Sequence, residues 1–211
     1  MRTSAFIILS GLLVCSGLNT EARDFRYGIL AGFDVASGRM TNKPDLDVYS
    51  KYYYPMFSFN ANGYLGYRSS GWWGLSAEPG FIQKGGIKKA EGEDIAYRLN
   101  CIQLPVLAEW HITDRWFLSA GPELSYMINA KRKSGHSSID VTDYYDQRFE
   151  VSGLIGIDYS VTKFLDIGLR YNHGLTYTSK FTWTDEMGLE TGVSKEFNQY
   201  FQVILRCAII N

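Results

Sequence analysis

The chain is poor in the residues on which most exported and membrane-embedded folds rely. Three cysteines in 211 residues are too few for a disulfide framework. No apolar run approaches the ~20 residues that a transmembrane helix needs, which excludes a helical bundle spanning the bilayer. Only three histidines occur, and the sequence has no Cys-x-x-Cys, His-Glu-x-x-His or EF-hand spacing, so the common metal motifs are missing. The formal net charge is -1, without the basic excess of a nucleic-acid binder. Proline numbers five, and no low-complexity tract or linker divides the chain. Aromatics and glycine are plentiful instead, with 15 Tyr, 12 Phe, 5 Trp and 21 Gly. That mix favours strands and tight turns over helices.

The first residues read as a secretory signal. Arg2 precedes a short apolar stretch from Ala5 to Cys15, and Thr20-Glu21-Ala22 has the small-x-small pattern of a cleavage site. The expected division is a signal peptide over 1–22 and one domain over 23–211. Cys15 follows Leu12-Leu13-Val14, whereas a lipoprotein signal places a small residue before its cysteine. Cys101 and Cys207 remain in the mature chain. They fall on the predicted fourth and eighth strands, which are not neighbours in an eight-stranded ring, so both are expected free.

Period two dominates the mature chain. Phe25, Tyr27, Ile29, Ala31, Phe33 and Val35 alternate with Arg26, Gly28, Leu30, Gly32 and Asp34. Similar runs occupy 57–67, 73–81, 102–112, 116–128, 149–161, 165–171 and 201–209. Most match the roughly 9–11 residues of a tilted membrane strand and exceed the ~5–6 typical of soluble strands. The connections alternate long (36–54), short (68–71), long (85–94), short (113–115), long (131–145), short (162–163) and long (178–196). Tight periplasmic turns and longer outer loops give a transmembrane barrel this asymmetry. The predicted fold class is therefore all-β: an up-and-down antiparallel transmembrane β-barrel of about eight strands. Pro79, Pro105 and Pro122 interrupt strand patterns, and bulges are expected there because proline cannot donate to a ladder. The alternation also slips between Leu99 and Ile102.

Two segments carry a resemblance. Residues 104–131 read LPVLAEWHITDRWFLSAGPELSYMINAK, and residues 149–176 read FEVSGLIGIDYSVTKFLDIGLRYNHGLT. The LP-x-L strand end, the Thr-Asp turn before aromatics, the AGPELSY strand and the GLRYNHGLT strand resemble the outer-membrane β-barrel domain family. This family is also called porin-family or PorT-like, with eight-stranded OmpA/OmpX-like barrels in Bacteroidota-type Gram-negative bacteria. The resemblance covers most of the mature chain. It implies a place in the cell outer membrane. It also offers a role as an accessory component of an outer-membrane secretion or assembly machine.

The polar phase is expected to line the barrel interior as a network of Arg26, Asp34, Glu78, Glu109, Glu123, Glu150, Asp158, Asp166, Arg170 and Arg206. An eight-stranded interior is just wide enough for side chains to fill, and buried charges need partners. Trp72, Trp73, Trp110, Trp116, Tyr126 and Tyr177 are expected to form aromatic girdles at the two membrane interfaces. Tyrosines 52–54, 144 and 145 gather at the long loops. Asp140, Asp143 and Asp146 offer either a divalent-cation cluster or a solvated loop. Lys88, Lys89, Lys131, Arg132 and Lys133 could meet lipopolysaccharide phosphates or serve as ordinary interface anchors.

The leading functional expectation is a non-enzymatic integral outer-membrane protein, structural or binding through its long extracellular loops, with at most minor pore activity. No catalytic residue, cofactor or metal ligand is expected. The expected partners are outer-membrane lipid and lipopolysaccharide, the barrel-assembly machinery, and surface or secretion proteins reached through the loops. Nucleic acid is not a partner, and the barrel is expected to be a monomer. A lipid A-modifying enzyme is a further reading, resting on the weak spacing of His136, Ser138 and His173. A soluble lipocalin-like carrier would invert the barrel, with its apolar phase turned inward around a ligand.

Overall fold

The computed structural model describes residues 24–41, 54–69, 71–90, 93–184 and 187–210. The predicted signal segment 1–22 lies outside them, as do Tyr52 and Tyr53. Eleven strands form among the described residues: β1 (Asp24–Thr41), β2 (Met56–Arg68), β3 (Trp73–Ala77), β4 (Gly80–Ala90), β5 (Glu93–His111), β6 (Trp116–Ser134), β7 (Ser137–Asp140), β8 (Phe149–Ser160), β9 (Leu165–Gly174), β10 (Ser179–Thr184) and β11 (Glu190–Ile210). A 3₁₀ turn over Thr142–Tyr144 links β7 to β8. Every pairing is antiparallel, and β1 pairs with both β2 and β11, which closes the ring. Around that ring β3 and β4 make one stave, so the wall has eight staves and no free edge.

The alternation read from the sequence is the alternation of faces. In β8, Glu150, Ser152, Leu154, Gly156 and Asp158 are buried, while Phe149, Ile155 and Ile157 face outward. Ile29 is 70% exposed, Phe57 82% and Leu169 54%. The buried residues include Glu78, Lys84, Asp158 and Arg206, all at 0%. Charge inside and hydrocarbon outside is the arrangement of a barrel dissolved in lipid, not of one holding an apolar ligand in water. Leu169→Arg on this outer face is expected to cost about 2–4 kcal/mol in phospholipid vesicles. Thr182→Arg, on the exposed β10, is expected to be near neutral. Urea titration of refolded protein distinguishes the two, and equal effects would contradict the assigned faces.

The three prolines do not produce the expected bulges. Leu65↔Ala77 and Asn62↔Gly80 keep one register across Pro79. Pro105 pairs with Glu123 and Pro122 with Gly153 without a shift. Proline removes a donor but not the pleat, so β5 and β6 run on through Pro105 and Pro122, and at Pro79 the stave is interrupted between β3 and β4 without losing its register. The one register shift between wall staves lies at Asn100/Cys101, within the stretch where the sequence pattern slips. Above it the interior becomes apolar: Ala36, Ile82, Leu99, Cys101, Met127, Ala130, Val141 and Tyr200 form a cluster across the lumen. Cys101 is buried and Cys207 exposed, both as free thiols.

Three predicted loops are largely strand. The segment 85–94 continues the β4–β5 ladder to Ala90↔Glu93. The 131–145 segment holds a β6–β7 hairpin closing at Ser134↔Ser137, and 178–196 holds the β10–β11 hairpin. These arms project from one end of the wall. Both of their faces meet water or each other, so nothing requires the period-two code there. Gly85 starts the first arm with φ 122°, a backbone that favours glycine, and a Cβ would lie 2.0 Å from the Tyr97 carbonyl oxygen.

Candidate functional site

Two assemblies of side chains stand out: a charged network within the wall and a cavity among the arms. The network holds every interior residue named from the sequence. Arg170 grips Glu78 through two nitrogens at 2.6 and 3.0 Å and lies 3.4 Å from Asp158. Arg206, on the last strand, lies within 3.3–3.7 Å of Glu78, Glu109, Asp158 and Asp166. Its guanidinium stacks 4.3 Å above the Tyr64 ring. Arg26 reaches Asp166 at 3.2 Å. Nearer the arms, the Lys84 ammonium donates to Glu123 at 2.9 Å, Glu150 at 3.0 Å and Ser125 at 3.0 Å.

Six of the seven interior carboxylates share four cations, and neutral donors hold Asp34 and the remaining carboxylate oxygens. Asn60 donates to Asp34 at 3.0 Å, Asn198 to Glu150 at 2.6 Å and Asn172 to Glu123 at 3.1 Å. The Tyr200 hydroxyl also donates to Glu123. Sequence reading missed Lys84 because the predicted strand stopped at Phe81. The period-two phase of Ser76, Glu78 and Ile82 continues to it, and that was the available signal.

The aromatics sort by height. Trp73 pairs with Trp110, and Trp116 with Tyr159, beside the short turns. Trp72 is 63% exposed at the same end. Tyr126 stands outward between Ile102 and Phe149, toward the arms. Tyr177 lies past β9 at the base of an arm, half-buried beneath the Lys195 ammonium at 5.1 Å.

The second assembly is where the three arms converge. They enclose a cavity of about 450 Å³. The β4–β5 arm contributes Lys88 and Tyr97, the β6–β7 arm and its 3₁₀ turn contribute Arg132, Ile139, Asp140, Val141, Tyr144 and Tyr145, and β10–β11 contributes Ser179, Phe181 and Glu196. Backbone bonds fix these walls. Val141 N–H donates to the Ala130 carbonyl at 2.9 Å, and the Thr142 hydroxyl accepts from Ala130 N–H at 2.9 Å. The Lys180 N–H donates to the Asp146 carboxylate at 2.7 Å, bolting the third arm to the second. Val141 and Tyr145 join the apolar cluster below, so the cavity floor rests on the barrel core. Burial pushes the Tyr145 phenol well above its usual range, so it stays a neutral donor.

Of the two readings open for the acidic residues of the second arm, the structure favours the loop. Asp140 accepts the Thr142 N–H at 2.9 Å, Asp143 pairs with Arg148 at 3.1 Å, and Asp146 is held by Lys180. Asp140 and Asp143 tie their own turn and Asp146 ties the third arm, and among the described residues the three do not converge on a metal site. The Thr142 hydroxyl and amide hold the Asp140 carboxyl below its ordinary value. Lys89 lies 4.6 Å above the Tyr54 ring, while Lys131 and Lys133 are exposed on the second arm.

A family model for an outer membrane protein beta-barrel domain matches residues 17–180. No protein of curated function matches the chain in sequence. Solved structures similar to it include Neisserial surface protein A, at 17% identity over 89% of this chain and 99% of that one, with a TM-score of 0.49. Ail of Yersinia pestis, in complex with the heparin analogue sucrose octasulfate, is 10% identical over 88% and 99%, with a TM-score of 0.46. The outer membrane protease OmpT of Escherichia coli is 9% identical over 89% and 96%, with a TM-score of 0.36.

Proposed function

Because the chain belongs to the outer membrane protein beta-barrel domain family, with its place in the outer membrane, we propose that it is a non-enzymatic binding protein whose ligand site is the cavity among its three arms. Long connections of such barrels face outward, which puts the arms outside the cell and the short turns in the periplasm. One observation carries this reading: a concave site of ligand size, lined by aromatic and charged side chains from three hairpins beyond the wall. The wall itself supports a sealed barrel with at most minor pore activity. Tyr64, Phe117, Tyr200 and Arg206 are all at most 1% exposed across its lumen. Its expected surroundings are outer-membrane lipid and lipopolysaccharide, and its expected state is a monomer delivered by the barrel-assembly machinery.

The enzymatic reading finds little support. His136 lies in the β6–β7 turn and the His173 ring meets the Tyr171 hydroxyl at 3.0 Å. Among the described residues neither ring bonds a serine hydroxyl or a carboxylate. A secretion-accessory role needs a protein partner, which the arms could reach.

The test is fragment screening by NMR on protein refolded into nanodiscs. Binding fragments are expected to shift the amides of Tyr97, Tyr145 and Phe181 selectively. Ile139→Arg, which places a guanidinium in the cavity, is expected to abolish those shifts with the barrel still folded. Shifts scattered over the wall, or none, would remove the cavity as the site. Deletion of the protein is expected to leave lipid A mass spectra unchanged.

A further inference from the structure

Resting on the reading that the arm cavity binds a ligand, we propose that this ligand is a neutral saccharide, one or two sugar rings seated against its tyrosine and phenylalanine faces. Charge argues first. Lys88 and Arg132 line the same 450 Å³ as Asp140 and Glu196, so the lining is balanced in sign. A strongly anionic ligand would meet two carboxylates, and a cationic one would meet two cations. Shape and polarity argue next. Four aromatic residues, Tyr97, Tyr144, Tyr145 and Phe181, line the cavity. A lipid chain would cover those rings but would offer nothing to the charged groups of the lining, Lys88, Arg132, Asp140 and Glu196.

A sugar ring reconciles the two demands. It has a C–H face that packs on an aromatic ring, and hydroxyls that each donate and accept. The cavity supplies both kinds of partner: Tyr145, Lys88, Arg132 and Ser179 can donate, and Asp140 and Glu196 accept. The ammonium of Lys88 lies over one face of Tyr97 at 4.9 Å and of Phe181 at 5.8 Å, which leaves the opposite face of each ring for a sugar. Tyr144, 80% exposed, lines the cavity from the 3₁₀ turn. The volume falls inside the roughly 300–1,000 Å³ of small-molecule sites and gives room for a disaccharide.

The experiment uses the full chain refolded into phosphatidylcholine nanodiscs, titrated with maltose, lactose, mannobiose and chitobiose, and separately with sucrose octasulfate as an acidic disaccharide. Saturation-transfer NMR reads the sugar C–H protons, and amide shifts read the protein. At least one of the first four sugars is expected to receive saturation and to shift Tyr97, Tyr145 and Phe181. Tyr144→Ala and Glu196→Gln are each expected to weaken that sugar by about tenfold or more, with the gel mobility of the unheated barrel unchanged. Two results overturn the saccharide and leave the cavity reading standing. One is that fragments shift the cavity amides while none of the four sugars does. The other is binding confined to sulfated or acidic disaccharides. Silence from both sugars and fragments overturns the saccharide and the cavity together.

Discussion

Replacing Arg206 with alanine is expected to destabilise the barrel by about 3–5 kcal/mol, the cost of breaking a buried ion pair by removing one partner. Its guanidinium is the common neighbour of Glu78, Glu109, Asp158 and Asp166, from four different staves. Without it, four carboxylates near the turn end retain, among the described residues, only Arg26 and Arg170 as permanent cations. The loss also strips the stacking partner from Tyr64 and Phe117. Arg206→Lys is expected to recover only part of the stability. An ammonium keeps the charge but loses the planar fork that reaches several carboxylates at once. Urea titration in vesicles, with the heat-dependent gel shift as the folding control, measures both. A loss below about 1 kcal/mol for the alanine variant would mean that water enters and solvates the carboxylates.

The second large effect belongs to Lys84. Lys84→Met keeps the length of the side chain and removes the only cation bonded to Glu123 and Glu150 among the described residues. The expected cost is again about 3–5 kcal/mol. The diagnostic is rescue. Adding Glu123→Gln and Glu150→Gln to Lys84→Met is expected to restore at least half of the loss, because the uncompensated charge has gone. The amides of Asn172 and Asn198 and the Tyr200 hydroxyl then still have acceptors. Absence of any rescue would show that Lys84 contributes by packing, not by charge.

Both effects concern a network largely readable in the chain. Asp158 between Ile157 and Tyr159, and Arg170 between Leu169 and Tyr171, announce an inward charge through strict alternation. The same alternation, the strand lengths and the short turns gave the class of fold and its inverted polarity. The three prolines misled, because proline's missing donor is a local property, whereas register is fixed by the many bonds on either side. Lys84 was hidden because its strand outlives the apolar code that marks strands within lipid.

What the sequence determined by itself was which side chains face in and which face out, since the bilayer imposes a period of two on every residue it touches. Which carboxylate meets which cation was decided only by closure, which brings Arg206 of the last strand against Glu78 and Glu109 from residues about a hundred positions earlier. The arm cavity was likewise a tertiary result. Its residues come from three hairpins that pair beyond the membrane, where no periodic environment writes a pattern into the chain. Tyr144, Phe181 and Glu196 are neighbours only because the wall holds three arms upright beside one another.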